Sequence, residues 1–271
     1  MKLRLFALLC LSAGLSTATA ASLIVPVFGN NSAQFKGALA AARQSKLIAI
    51  INPNDGVGGS VQGNTASFSR KVVSSGSVSA GYINTNYGKR NLDAIRSDIN
   101  KYKGSYGANA IFLDEFSDSA SDISAYREIY QYAKSSGLKV IGNPGTFVPR
   151  GYADVTDILI TYEDAYSAGF SRFKQKGWTK KFPKKKFGVI VNSTSNYKAV
   201  LSKAAKENVE YVYATDATEP SPYGRLPDNF TAQASATRSR GLGARAVPEP
   251  GSAALLLASC LALFNRRSRR C

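Results

Sequence analysis

The 271-residue chain contains no histidine. That absence excludes Ser-His-Asp triads, Cys-His dyads and metal sites built on imidazole. Cysteine is nearly as scarce. Cys10, Cys260 and Cys271 all lie near the ends, so the long middle has no thiol and must be stabilised by its core rather than by disulfides. Acidic residues are in deficit, 18 against 35 lysines and arginines. No GxGxxG or P-loop follows the first strand-like run, which argues against a nucleotide-binding sheet.

What is present begins with the two ends. Lys2 and Arg4 precede an apolar run, Leu5 to Leu15, and Ala18-Thr19-Ala20 supplies small residues for cleavage. This three-part pattern predicts a secretory signal peptide over residues 1–20, removed by signal peptidase. At the other end Pro248-Glu249-Pro250 precedes an apolar stretch and the arginines 266, 267, 269 and 270. The stretch over 252–264 is short against the about 20 residues of an unaided membrane span. Positive charge beyond it would hold that end on the cytoplasmic side. In order and composition the last two dozen residues resemble a PEP-CTERM sorting signal. The resemblance implies cutting by an exosortase, transient anchoring in the inner membrane, and delivery to the envelope or matrix of a Gram-negative, polysaccharide-producing cell. The expected divisions are a signal at 1–20, one domain at 21–245 and a sorting tail at 246–271. Without both ends the chain keeps 29 basic and 17 acidic residues, a net charge of about +12, and a basic surface attracts polyanions.

The middle alternates apolar runs with amphipathic ones. Strand-like runs start at Ser22, Lys46, Val78, Ala108, Leu138, Asp157, Phe187 and Val209. Most are apolar throughout, as parallel strands buried on both faces require. Helical patterns cover Ser32–Arg43, Leu92–Tyr102, Ile123–Ser135 and Ser195–Lys206, with a last one from Asn229. Asn91 and Asp122 stand where N-caps are expected. The fifth unit leaves room only for a short turn of helix near Gly151–Val155. Eight such units predict an α/β fold, a single (β/α)8 TIM-type barrel, with an open doubly wound sheet as the alternative.

In a barrel the chemistry gathers at the C-terminal ends of the strands. Those positions hold Asn52 in an Asn-Pro-Asn-Asp-Gly turn, then Tyr82, Asn84 and Tyr87, then Asp114-Glu115. Asn143-Pro144-Gly145, Tyr162-Glu163-Asp164, Asn192, Tyr213 and Asp216 complete the rim. Carboxylates can act as acid and nucleophile, amides hydrogen-bond hydroxyls, and tyrosine rings stack on sugar faces. Glycoside hydrolysis needs two carboxyl groups across the scissile bond. A regular strand points Asp114 and Glu115 to opposite sides, so one faces the axis. Asp164 and Asp216 read as caps before catalysts.

The ordered set INPNDGVG, GYINTNYGKR, IFLDEF, GNPG, TYED, VYATD and PYGRLPDNF resembles the spherulation-specific family 4 proteins, from about Val25 to Phe230. The resemblance implies a (β/α)8 barrel and glycoside hydrolase family 135-like cleavage of galactosamine-containing exopolysaccharide. It makes Asp114 and Glu163 the catalytic pair, Glu163 as acid/base and Asp114 as nucleophile or stabiliser, with those roles open to exchange and Glu115 in support. Asn52, Tyr82, Asn84, Tyr87 and Asn143 would line the sugar cleft, with Tyr162, Tyr213 and Asp216 as further rim contacts. Asn84 stands where relatives often carry histidine, and an amide cannot transfer a proton near neutral pH. The expected function is an exported hydrolase of an aminosugar exopolysaccharide. The alternative is a glycan-binding or structural matrix protein without catalysis. No metal, organic cofactor or nucleic-acid partner is expected. The lysines between 174 and 186 read as a solvated loop, with an acidic-glycan or nucleic-acid patch as the other reading.

Overall fold

A computed structural model of the protein describes residues 21–238. The expected signal at 1–20 and sorting tail at 246–271 lie outside the described residues. Among those described, no helix is long and apolar enough to cross a membrane.

All eight apolar runs form parallel strands, and the sheet closes on itself. They are β1 (Ser22–Val27), β2 (Leu47–Ile51), β3 (Val78–Asn84), β4 (Ala110–Asp114), β5 (Lys139–Gly142), β6 (Ile158–Ala165), β7 (Phe187–Asn192) and β8 (Tyr211–Ala214). Closure runs through Ser22 opposite Tyr211 and Leu23 opposite Val212. Closing the sheet leaves no edge with unpaired backbone groups, which is the physical reason for a barrel rather than an open sheet. Every residue of β2 and β7 is buried, as strands between an interior and a helical layer should be.

The outer layer holds six α-helices among the described residues: α1 (Ser32–Gln44), α2 (Gly63–Ser74), α3 (Leu92–Lys101), α4 (Ile123–Ser135), α5 (Tyr197–Lys206) and α6 (Phe230–Arg238). Asn91 caps α3 as expected, its side chain accepting from the amides of Asp93 and Ala94. Asp122 precedes α4 but makes no capping bond. Its oxygens accept instead from the hydroxyls of Ser117 and Ser121. Sequence reading did not anticipate α2. Its Gln62 cap makes no side-chain bond and its first turn has no acid, so the usual start signals are missing. Burial of Thr65, Ala66, Phe68 and Val72 forms it instead. The fifth unit is the short turn expected there, a 3-10 segment at Arg150–Val155. The sixth also lacks an α-helix and crosses in 3-10 turns.

Two features tie this scaffold to its upper rim. Gly81 faces outward, and a Cβ there would lie 2.2 Å from the Tyr102 ring, so only glycine lets the end of α3 close on the sheet. Left-handed backbone also collects beyond the strand ends: Asn30, Asp55, Asn86, Tyr87, Glu115 and Ser193 all have positive φ. Such conformations cost roughly 1–3 kcal/mol each and persist where surrounding structure imposes them.

Candidate active site

Asp114 ends β4, directly opposite Asn84 of β3. The next strand over, β5, leads into Asn143, whose backbone amide donates to Leu113 O at 2.8 Å. That bond fixes the Asn143 side chain beside Asp114. Its Nδ2 donates to Asp114 Oδ1 at 2.7 Å and also to Glu163 Oε2. Two oxygens bonded to one nitrogen lie at most about 6 Å apart, twice an ordinary hydrogen-bond length. Asn143 is 4% exposed, so it is a buried bridge between the carboxyls rather than an open cleft wall.

Glu163 reaches this position through an irregularity. Ile160 pairs with Gly188 and Glu163 pairs with Ile190, with the register shifting between Ile160 and Tyr162. Gly188 and Ile190 are two apart and share a face, so Ile160 and Glu163 share one too. Without the bulge at Thr161, residues three apart would face opposite ways. Gly145, with φ of 64°, passes close to Glu163 and its carbonyl accepts the Glu163 amide at 3.0 Å.

Each carboxyl has a tyrosine partner. The buried Tyr82 hydrogen-bonds Asp114, and the Tyr223 hydroxyl donates to Glu163 Oε1 at 2.5 Å. Phe28 sets its edge against both tyrosines, at 5.6 and 5.7 Å between ring centroids. Tyr223 received no role from the sequence although it lies in PYGRLPDNF, because nothing local to that loop says it folds back over β6. Burial pushes Asp114 above the usual carboxylate range, opposed by the bonds from Tyr82 and Asn143. Glu163 is pushed up to about 7, by burial first and by Asp114 second, against the bonds from Tyr223 and Asn143. The rim carboxylate Glu219, held by Asn192 Nδ2 at 3.2 Å, adds a smaller push. Both tyrosines are driven upward by burial and by their acids, so they remain donors at neutral pH.

Glu115 does not join the pair. With φ of 44° it turns out of the strand, its carbonyl accepting from the Tyr87 amide at 2.7 Å. It lines a neighbouring cavity of about 580 Å³ with Asn54, Asp55, Asn84, Asn86 and Arg90. Asn84 is therefore at the mouth, where its Oδ1 also accepts from the Asn86 amide. Asn52 is spent on its own turn, accepting from the Gly56 amide at 2.6 Å. Tyr87 is 57% exposed on the rim.

Three expected rim contacts face elsewhere. Tyr162 is adjacent to Glu163 and so points away from it, packing against Phe170 and Phe173 and bonding Ala165 O. Tyr213 is wholly buried, as core beneath the site. Asp216 pairs with Arg225 at 3.1 Å. Among the described residues no cluster of three acids, cysteines or histidines is placed to hold a metal.

A closed (β/α)8 barrel carrying two upward-shifted carboxyls on one amide at its strand ends is the class of protein defined here. The chain belongs to the spherulation-specific family 4, whose sequence pattern it matches over residues 24–237. It is 35% identical to Spherulin-4 of Physarum polycephalum over 187 residues, covering 64% of this chain and 56% of that one. The chain thus spans little more than half of that curated relative. Its fold is similar to the crystal structure of Aspergillus clavatus Sph3 in complex with GalNAc, with a TM-score of 0.69 at 19% identity over 81% of this chain and 98% of that one. It is also similar to the GH18 chitinase ChiB of Flavobacterium johnsoniae, with a TM-score of 0.56 at 10% identity over 82% and 94%. At these identities the likeness is one of fold.

Proposed function

We propose that this chain is an exported glycoside hydrolase acting on an aminosugar-containing exopolysaccharide. The observation that carries the reading is the Asn143 bridge, which holds Asp114 Oδ1 and Glu163 Oε2 close together at the barrel mouth. Their separation suits the about 5–5.5 Å of a retaining pair better than the wider gap of inverting enzymes. Glu163, titrating near 7, supplies a proton to the glycosidic oxygen as the C–O bond breaks. Asp114, whose ionised form the bonds from Tyr82 and Asn143 favour against burial, bonds to or stabilises the sugar cation. Water then attacks the anomeric carbon, returning its proton to Glu163 and releasing Asp114.

Family membership and the GalNAc bound by the Aspergillus protein support the aminosugar class. So do Asp55 and Glu115, the two of three carboxylates lining the adjoining cavity that remain once Asp98 pairs with Arg90, because a free amino group on a sugar is cationic. Export, tail cutting by an exosortase and a matrix location belong to the same reading.

The test incubates purified protein with N-acetylated and deacetylated galactosamine polymers and counts new reducing ends. Wild type should release them, and Asp114→Asn and Glu163→Gln should each lose at least about 100-fold, the usual share of an acid or base. Three equal traces would leave a glycan-binding barrel without catalysis.

A further inference from the structure

We propose that the floor of the barrel, opposite the carboxyl pair, is a docking surface for an anionic polysaccharide. The surface is built by the second half of Arg172–Lys186, a stretch of 15 residues with eight cations and no acid whose first half starts where Phe173 packs against Tyr162. That second half lies at the N-terminal ends of the strands. Lys186 Nζ donates to the carbonyl of Thr156, two residues before β6. The Lys184 carbonyl accepts from the amide of Glu210, the residue before β8. Asp114 and Glu163 stand at the other end of the same strands. The six residues of β7 put about 17 Å between the two ends.

This stretch is pinned rather than loose. Trp178 packs against Phe182 and Phe187 at 5.9 and 5.8 Å. Asn208 Nδ2 holds the carbonyls of Thr179 and Phe182, and the Gln175 amide donates to Glu207. On that frame Lys180, Lys181 and Lys185 are exposed and make no ion pair among the described residues. A fixed array loses little conformational freedom on binding, so its charge is used efficiently.

The chemistry selects among polyanions. The aromatics of the stretch face inward: Phe173 is 6% exposed, and Trp178 and Phe182 are half-buried against the core. Trp178 and Phe182 are engaged with each other, with Phe187 and with Arg150 rather than standing clear as stacking platforms or bilayer wedges. Charge alone is presented, which suits a uronate-bearing chain read through its carboxylates. The acids at the mouth would repel the same polymer, so it is held on one face while the other stays open.

The test compares the full chain with a variant carrying Lys180→Glu, Lys181→Glu and Lys185→Glu. The arginines of the tail are common to both, so a difference reads the floor alone. Probes are alginate, neutral dextran, a short DNA duplex and phosphatidylglycerol vesicles. Wild type should bind alginate and not dextran, release it as salt shortens the screening length, and exceed the variant by at least about tenfold. Both proteins should cleave the same reducing-end substrate at one rate, if they cleave it at all, which separates this outcome from the catalytic one. Should the glutamates prevent folding, the three glutamine substitutions take their place. Equal alginate affinity in wild type and variant, no alginate binding, or tighter binding of DNA or vesicles than of alginate would overturn the proposal.

Discussion

The Tyr223 hydroxyl donates to Glu163 Oε1 at 2.5 Å, joining residues 60 positions apart. The bond favours the ionised carboxylate and restrains its upward shift. Tyr223→Phe keeps the ring against Phe28 and removes the donor. The high-pH limb of kcat/KM should therefore move to more alkaline pH, with a stability loss of about 1 kcal/mol. A pH–rate profile with an unmoved limb would show that the bond does not tune Glu163.

Glu163 also makes stability depend on pH. An unfolded glutamic acid ionises near 4.5, whereas in the fold Glu163 is pushed up to about 7. The folded state thus holds the proton more tightly. That contribution is complete below pH 4.5 and is lost as pH rises through about 7. Glu163→Gln has no proton to lose. Wild type should weaken relative to this variant between pH 5 and 8, by at most about 3 kcal/mol. Urea unfolding of both proteins across that range measures it, and parallel curves would refute it.

Asn143 was expected to line the sugar cleft, yet it is buried between two acids. Asn143→Ala leaves those acids without their common donor. The turnover number should fall by about 100-fold, the scale of a misplaced reacting group. KM should change little, since the amide does not face the sugar. A rise in KM at constant kcat would restore the cleft-lining role.

The packing at Gly81 gives a test independent of chemistry. Gly81→Ala drives a methyl into the Tyr102 ring. It should cost roughly 1–3 kcal/mol, the usual range for overpacking. Gly59→Ala, where nothing lies within 4 Å, should stay within about 0.5 kcal/mol. Thermal unfolding of the two variants against wild type separates these outcomes.

The barrel was legible because its strands are continuous apolar runs, a signal that needs no partner to be read. Helix α2 was not, since its start lacks caps and its stability comes from Phe68 and Val72 meeting the sheet. The paired acids were also legible, Asp114 and Glu163 being strand-end carboxylates. Their partners were less so. Tyr223 comes from a distant loop, and Glu115 leaves the site through a positive φ that no composition signals. Tyr162 was assigned to the cleft with its neighbour Glu163, although adjacent strand residues cannot both face inward. Nothing in ILITYE announces which of the two does.

That choice is made by one supernumerary residue. Thr161 adds nothing to the site by its own chemistry; left out of the pairing, it lets Tyr162 and Glu163 follow Ile160 on the ladder as if they were the next two residues. Flattening the bulge, with Thr161 taken into the ladder opposite Val189, would exchange the places of Glu163 and Tyr162, sending the acid among the Phe170 and Phe173 rings and the phenol toward Asp114. Every side chain of the site would still be in the chain, yet the pair would be gone. In this barrel mouth, which residue is left out of the ladder decides the site as firmly as the identity of any side chain.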